Sequence, residues 1–193
     1  MLGWILFPRE LREAIYELKS KNDFRPKGLR RVYLRFWLLL ILSMGVLYLY
    51  LFIKPDEHFI LLFSVFLAIL AIKLPRSLAK DRIIAYSTGC VVSGEYSYVK
   101  YVTPAILNGG NGFIGCTYID DNSIAHKRSW GGLVTYWGRK HVRAVGEKVP
   151  IFYTINRPED GIPYLAPVFN AYCISKSRMN IDWDQYLQTK KAC

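Results

Sequence analysis

From Phe36 to Ile53 the chain contains no charged residue. A helix built from such a run, rising about 1.5 Å per residue, comes close to the ~30 Å hydrocarbon thickness of a bilayer. Phe59 to Ile72 is a second charge-free run. It is shorter than the roughly 17 residues that a crossing needs, so a second span has to borrow length from His58, Lys73 and Leu74, with the Lys73 ammonium extended along the helix toward the interface. Between the runs, Lys54-Pro55-Asp56-Glu57 stops one helix and reverses the chain. The stretch reads as a transmembrane helical hairpin; the alternative is a second arm that is a re-entrant helix or the core helix of a soluble protein. Small residues for close helix contact are Ser43 and Gly45 in the first run and Ser64, Ala68 and Ala71 in the second.

Flanking charge sets the orientation. Lys27, Arg30, Arg31 and Arg35 precede the hairpin and Lys73, Arg76, Lys80 and Arg82 follow it, whereas its loop sets Lys54 against Asp56 and Glu57. Positive flanks stay inside. The expected location is therefore the inner, cytoplasmic membrane, with both termini cytoplasmic. In that reducing compartment Cys90, Cys116, Cys173 and Cys193 are expected as free thiols, and they lack the CxxC spacing of a zinc or redox site.

The expected organisation has three parts: residues 1–32 as an amphipathic helix and basic linker, 33–75 as the hairpin, and 76–193 as a cytoplasmic β-rich domain with a polar C-terminal tail. In the first part, Leu11, Ile15 and Leu18 share a helical face behind Pro8. This helix either lies in the membrane interface, with Trp4 and Phe7 as anchors alongside Arg35 and Lys73, or packs on the domain. Past Arg82 the pattern becomes extended. Strands are expected at Ile83–Val92, Tyr96–Val102, Phe113–Ile119, Leu133–Trp137, Val149–Ile155 and Val168–Ile174, with turns at Ser93-Gly94-Glu95, Asn108–Gly112 and Asp120–Ser123, and a helical turn within Asp182–Gln188. The fold class is thus an α+β membrane protein, a two-helix hairpin followed by a small antiparallel barrel-like or sandwich-like domain.

Chemistry-bearing motifs are sparse. The Asn108–Gly112 loop lacks both GxxxxGK[ST] and GxGxxG, and Asp120-Asp121 lacks EF-hand spacing, so neither a cofactor nor a metal is expected. Cys90, Cys116 or Cys173 with His126 or His141 as base would be the candidates for nucleophilic catalysis, but each of these cysteines lies in an apolar strand-like run, and a non-catalytic protein is expected. The formal net charge of +11 points to anionic lipid rather than nucleic acid, since no helix-turn-helix, RNP-like or zinc pattern accompanies it. Its densest cluster, Arg139, Lys140, His141 and Arg143, is a candidate contact for anionic lipid or an acidic partner.

Gly146, Val149, Tyr153, Asn156 and Pro158 form a pattern of glycine, valine, a Val/Tyr-rich strand and Asn-x-Pro. It resembles a signature of a widespread family of small membrane-anchored proteins of unknown function with a β-rich domain. The resemblance implies a membrane-tethered β domain and brings no catalytic residues with it. The functions to expect are thus binding functions: an immunity protein that neutralises a membrane-active toxin, a structural or accessory subunit of an envelope or secretion assembly, or an anionic-lipid-sensing regulator.

Overall fold

The computed structural model describes residues 7–53, 55–78, 82–101, 112–134, 142–183 and 185–186. Three helices come first: α1 (Arg9–Ser20), α2 (Lys27–Phe52) and α3 (His58–Leu78). After them come a short helix α4 (Ile84–Thr88), five strands β1 (Cys90–Tyr101), β2 (Gly112–Ile119), β3 (Ala125–Val134), β4 (Lys148–Thr154) and β5 (Arg157–Pro163), and the short helices α5 (Ala166–Tyr172) and α6 (Lys176–Met179). The strands form one antiparallel sheet in the order β3-β2-β1-β4-β5.

The sheet nearly closes on itself, and particular side chains draw its edges together. β1 is the long central strand; its first half pairs with β4 and its second half with β2, and a register shift between Tyr96 and Tyr98 bends it between the two partners. Across the interior, the Tyr118 hydroxyl on β2 donates to the Pro158 carbonyl of β5. It also accepts the Gly161 amide at 2.9 Å. Only glycine fits at 161, because a Cβ there would stand 2.6 Å from the Tyr118 ring. On the rim, Arg128 of β3 is paired with Asp160 and donates to the Glu159 carbonyl at 3.1 Å. The result is barrel-like.

An aromatic cluster fills one side of this sheet. The Phe152 ring packs against Tyr86 at 5.2 Å, Phe169 at 5.5 Å and Trp183 at 4.8 Å between centroids. The Tyr86 hydroxyl, wholly buried, donates to the Pro163 carbonyl at 2.9 Å. The core does not stop at the sheet: Leu11 and Leu18 of α1, Leu29, Val32 and Phe36 of α2, and Ala71 of α3 belong to the same buried cluster.

Besides β3, which begins at Ala125 rather than at the expected Leu133 and whose expected continuation over residues 135–137 lies outside the described residues, the elements differ from the sequence expectation in four places. Ile83–Val92 is not one strand: Ile84 to Ser87 form a buried helical turn, and extension begins at Cys90. Val168–Ile174 is helical rather than extended, with Pro167 in its first turn and Phe169 and Tyr172 buried at i, i+3 spacing. Ser93-Gly94-Glu95 makes no turn and runs straight through β1. Asn156 ends β4, but the chain reverses at once and Arg157–Pro163 adds an edge strand. Short apolar runs are ambiguous between buried helix and buried strand, which accounts for the first two differences.

Candidate functional site

Helix α2 is long and apolar enough to cross a membrane, and only 17% of its apolar window is buried within the protein. That exposure separates it from the core helix of a soluble domain. Its partner α3 contains a shorter apolar stretch, His58–Leu74. The two arms run antiparallel, joined by reciprocal bonds at mid-height: the Ser43 hydroxyl donates to the Ser64 carbonyl at 2.9 Å, and the Ser64 hydroxyl donates to the Ser43 carbonyl at 2.9 Å. Near the far end Tyr50 Oη lies 3.3 Å from His58 Nδ1. The contact stripe continues through Leu67 and Ala71, both buried, with Ala68 half-buried beside them. Gly45 takes no part in it. Two residues on from Ser43, it stands about 200° around the helix, and a Cβ there would meet nothing within 4 Å.

The outward surface of the hairpin is greasy. Ile41, Met44, Tyr48 and Phe52 on α2, and Phe59, Leu62 and Phe66 on α3, are all more than half exposed. The pairing that sets Ser43 against Ser64 also brings Arg35 and Lys73 to one level, and both are exposed there. From that level to Phe52 the arms carry no charged side chain over roughly 25 Å of helix.

Below Arg35 the hairpin has a built stem. Helix α1 turns Leu11, Ala14 and Leu18 inward, and Phe7, 3% exposed, packs its ring edge-on to Tyr33 at 5.4 Å. Of the two readings of this helix, packing is the one observed, and Phe7 is a core residue rather than a membrane anchor. Trp4, the other expected anchor, lies outside the described residues. Between α1 and the start of α2 opens a groove of about 880 Å³ with apolar lining, the exposed basic side chains Arg9 and Lys19, and the half-buried Arg12 between them. Arg9 is paired with Glu13 at 2.7 Å, and the Lys19 ammonium lies 5.2 Å from the centre of the Phe24 ring.

A clasp fastens the stem to the far end of the chain. Asp23 accepts from the Ser175 hydroxyl at 2.5 Å, and from the Ser177 amide and hydroxyl at 2.6 and 2.9 Å. Partial burial pushes its carboxyl up, but these bonds and that from the Lys176 amide outweigh it and hold the carboxyl below the ordinary aspartate value. Alongside, Phe24 bridges Ser175, and the Arg25 amide donates to the Ile174 carbonyl at 2.7 Å. Gly28 sits hard against this strand-like contact, since a Cβ there would come within 2.6 Å of the Cys173 carbonyl oxygen.

The remaining candidates sit apart from the stem. Arg139, Lys140 and His141 lie outside the described residues, and Arg143 donates to the Lys148 carbonyl at 2.8 Å. Cys116 and Cys173 are fully buried; burial pushes the Cys116 thiol up to about 12 and raises that of Cys173. His126 faces Asp120, with Nε2 to Oδ2 at 3.1 Å, in a turn whose Asn122 and Ile124 amides donate to Asp120 Oδ1 at 2.9 Å. Among the described residues no group of three His, Cys, Asp or Glu side chains stands close enough to hold a metal ion.

Hairpin, stem and sheet define the class: an α+β protein in which one long apolar helix is rooted in the core of a nearly closed five-stranded sheet. No protein-family model, curated protein or solved structure matches the chain. The groove and the clasp were missed from the sequence. The groove had a signal, since Arg9, Arg12 and Lys19 share one helical stripe; the clasp joins residues 152 apart and had none.

Proposed function

We propose that this chain is a non-catalytic, membrane-anchored binding protein. α2 and α3 cross the inner membrane as a hairpin, both termini lie in the cytoplasm, and the hairpin together with the β domain engages a protein partner. The observation that carries the reading is the exposure of large apolar side chains around both arms beyond Arg35 and Lys73, a surface that water does not tolerate and hydrocarbon does. α3 reaches the length of a crossing when Lys73 extends toward the interface, as the exposed position of that residue allows.

Two measurements test this. A reporter fused after Cys193 is expected to be active only in the cytoplasm, and the chain is expected to resist extraction by alkaline carbonate; a soluble chain sinks the proposal. Cross-linking in intact membranes followed by purification in mild detergent identifies the partner. A partner whose intact gene makes deletion of this chain lethal marks an immunity protein, and a complex of fixed stoichiometry marks an assembly subunit. Recovery of the chain alone refutes the binding role.

A further inference from the structure

We infer that the groove between α1 and the root of α2 is a binding site for an anionic phospholipid, with the headgroup phosphate on the rim and the acyl chains running up α2. The inference rests on the membrane reading above and adds a site and a ligand class to it. Three observations carry it.

The first is charge. Arg9, Arg12 and Lys19 line the groove against a single acid, Glu13. They lie within about 80° of one another around α1 and span about 15 Å along it. A stripe of that length and sign complements a headgroup of net negative charge rather than a zwitterionic one, whose phosphate carries its own cation that the rim would repel.

The second is the floor. The half-buried Ile15, Phe24 and Tyr33 and the exposed Tyr16 give the groove an apolar wall, and its volume of about 880 Å³ lies in the range of small-molecule sites, roughly 300–1,000 Å³. An ion alone would leave that wall wet, whereas a lipid covers it.

The third is position. Leu29 and Tyr33 lead at i, i+4 spacing to Trp37 and then Ile41, which are 45% and 63% exposed. The groove therefore runs without a break into the face of α2 that stands in hydrocarbon. Phe7 packs on Tyr33 and Lys19 on Phe24, so Arg9 stands at the end of the groove nearer Arg35, where the charge-free part of the hairpin begins, and Lys19 at the end away from it.

The test uses the full chain in nanodiscs of equimolar phosphatidylglycerol and phosphatidylcholine with identical acyl chains, followed by release into mild detergent and native mass spectrometry of retained lipid. Retention of phosphatidylglycerol over phosphatidylcholine is expected. Each rim charge removed should weaken it about fivefold, so R9Q/K19Q should lose roughly thirty-fold, while the charge-matched K127Q/K148Q on the β domain should lose little. Both positions in R9Q/K19Q are on the surface, and an unchanged circular dichroism spectrum and melting curve verify that the variant is folded. Equal retention of the two lipids by a chain that resists carbonate overturns the site and leaves the membrane reading intact; release by carbonate removes both. Displacement of the lipid by soluble glycerol phosphate, or by an acidic peptide at lower concentration, would reassign the groove and refute the inference.

Discussion

Replacing Ser64 by leucine and, separately, Gly45 by leucine puts the same bulk on two faces of one hairpin, and the structure demands opposite outcomes. Ser64 is 4% exposed, with its hydroxyl bonded to the facing helix. Leucine there removes one interhelical bond, worth about 0.6 kcal/mol and at most about 1.7 in a membrane, and forces the arms apart at an overpacking cost of about 1–3 kcal/mol. The sum, about 1.6–4.7 kcal/mol, shifts the balance between packed and separated arms at least about fifteen-fold. At Gly45 the space is open to 4 Å, so leucine there should change the balance by less than about 0.5 kcal/mol. Energy transfer between fluorophores at the exposed Tyr48 and Phe59, which stand at one level on the two arms, reads the separation during titration with a denaturing detergent. The Ser64→Leu curve should shift to lower detergent and the Gly45→Leu curve should overlay the parent. If Gly45→Leu parts the arms as readily, the assignment of faces is wrong.

Phe152→Ala removes the ring that touches Tyr86, Phe169 and Trp183 and should cost about 3–5 kcal/mol, read as a lowered urea midpoint of near-ultraviolet circular dichroism. Asp23→Ala should destabilise the parent by about 2 kcal/mol at neutral pH, because three donors lose a charged acceptor. The folded pKa of Asp23 lies below its unfolded value, so this contribution is complete above about pH 3.9 and is lost as pH falls through the folded value. The gap between parent and variant should therefore close in acid, and a gap that widened instead would contradict the clasp. Cys116 and Cys173 should resist a soluble maleimide in the native state, while the half-buried Cys90 reacts before either of them; mass spectrometry of the labelled chain checks the order.

What could be read in advance depended on whether the signal was local. The hairpin arms announce themselves because absence of charge from Phe36 to Ile53 and from Phe59 to Ile72 is a property of the run itself. β2 and β4 are legible for a similar reason, their apolar and β-branched residues falling in short uninterrupted runs. α4 and α5 are one or two turns long and buried, too short for a helical period to declare itself. β5 reads as a turn because RPEDGIP is composed of turn residues, and it is extended only because β4 offers it an edge. Ser43 and Gly45 are equally small, and composition alone gave both a role in packing. The phase of the helix separates them, and that phase is fixed by α3 rather than by α2.

Leu29, Val32 and Phe36 belong at once to the domain core and to the helix that continues into the apolar arm. With no hinge between the two, the sheet is held at a set distance and tilt relative to the apolar arms, like a flag on a stiff pole rather than a buoy on a rope. Any force that a bound molecule exerts on the β domain is delivered to the hairpin as torque, and any tilt of the hairpin turns the sheet through the same angle.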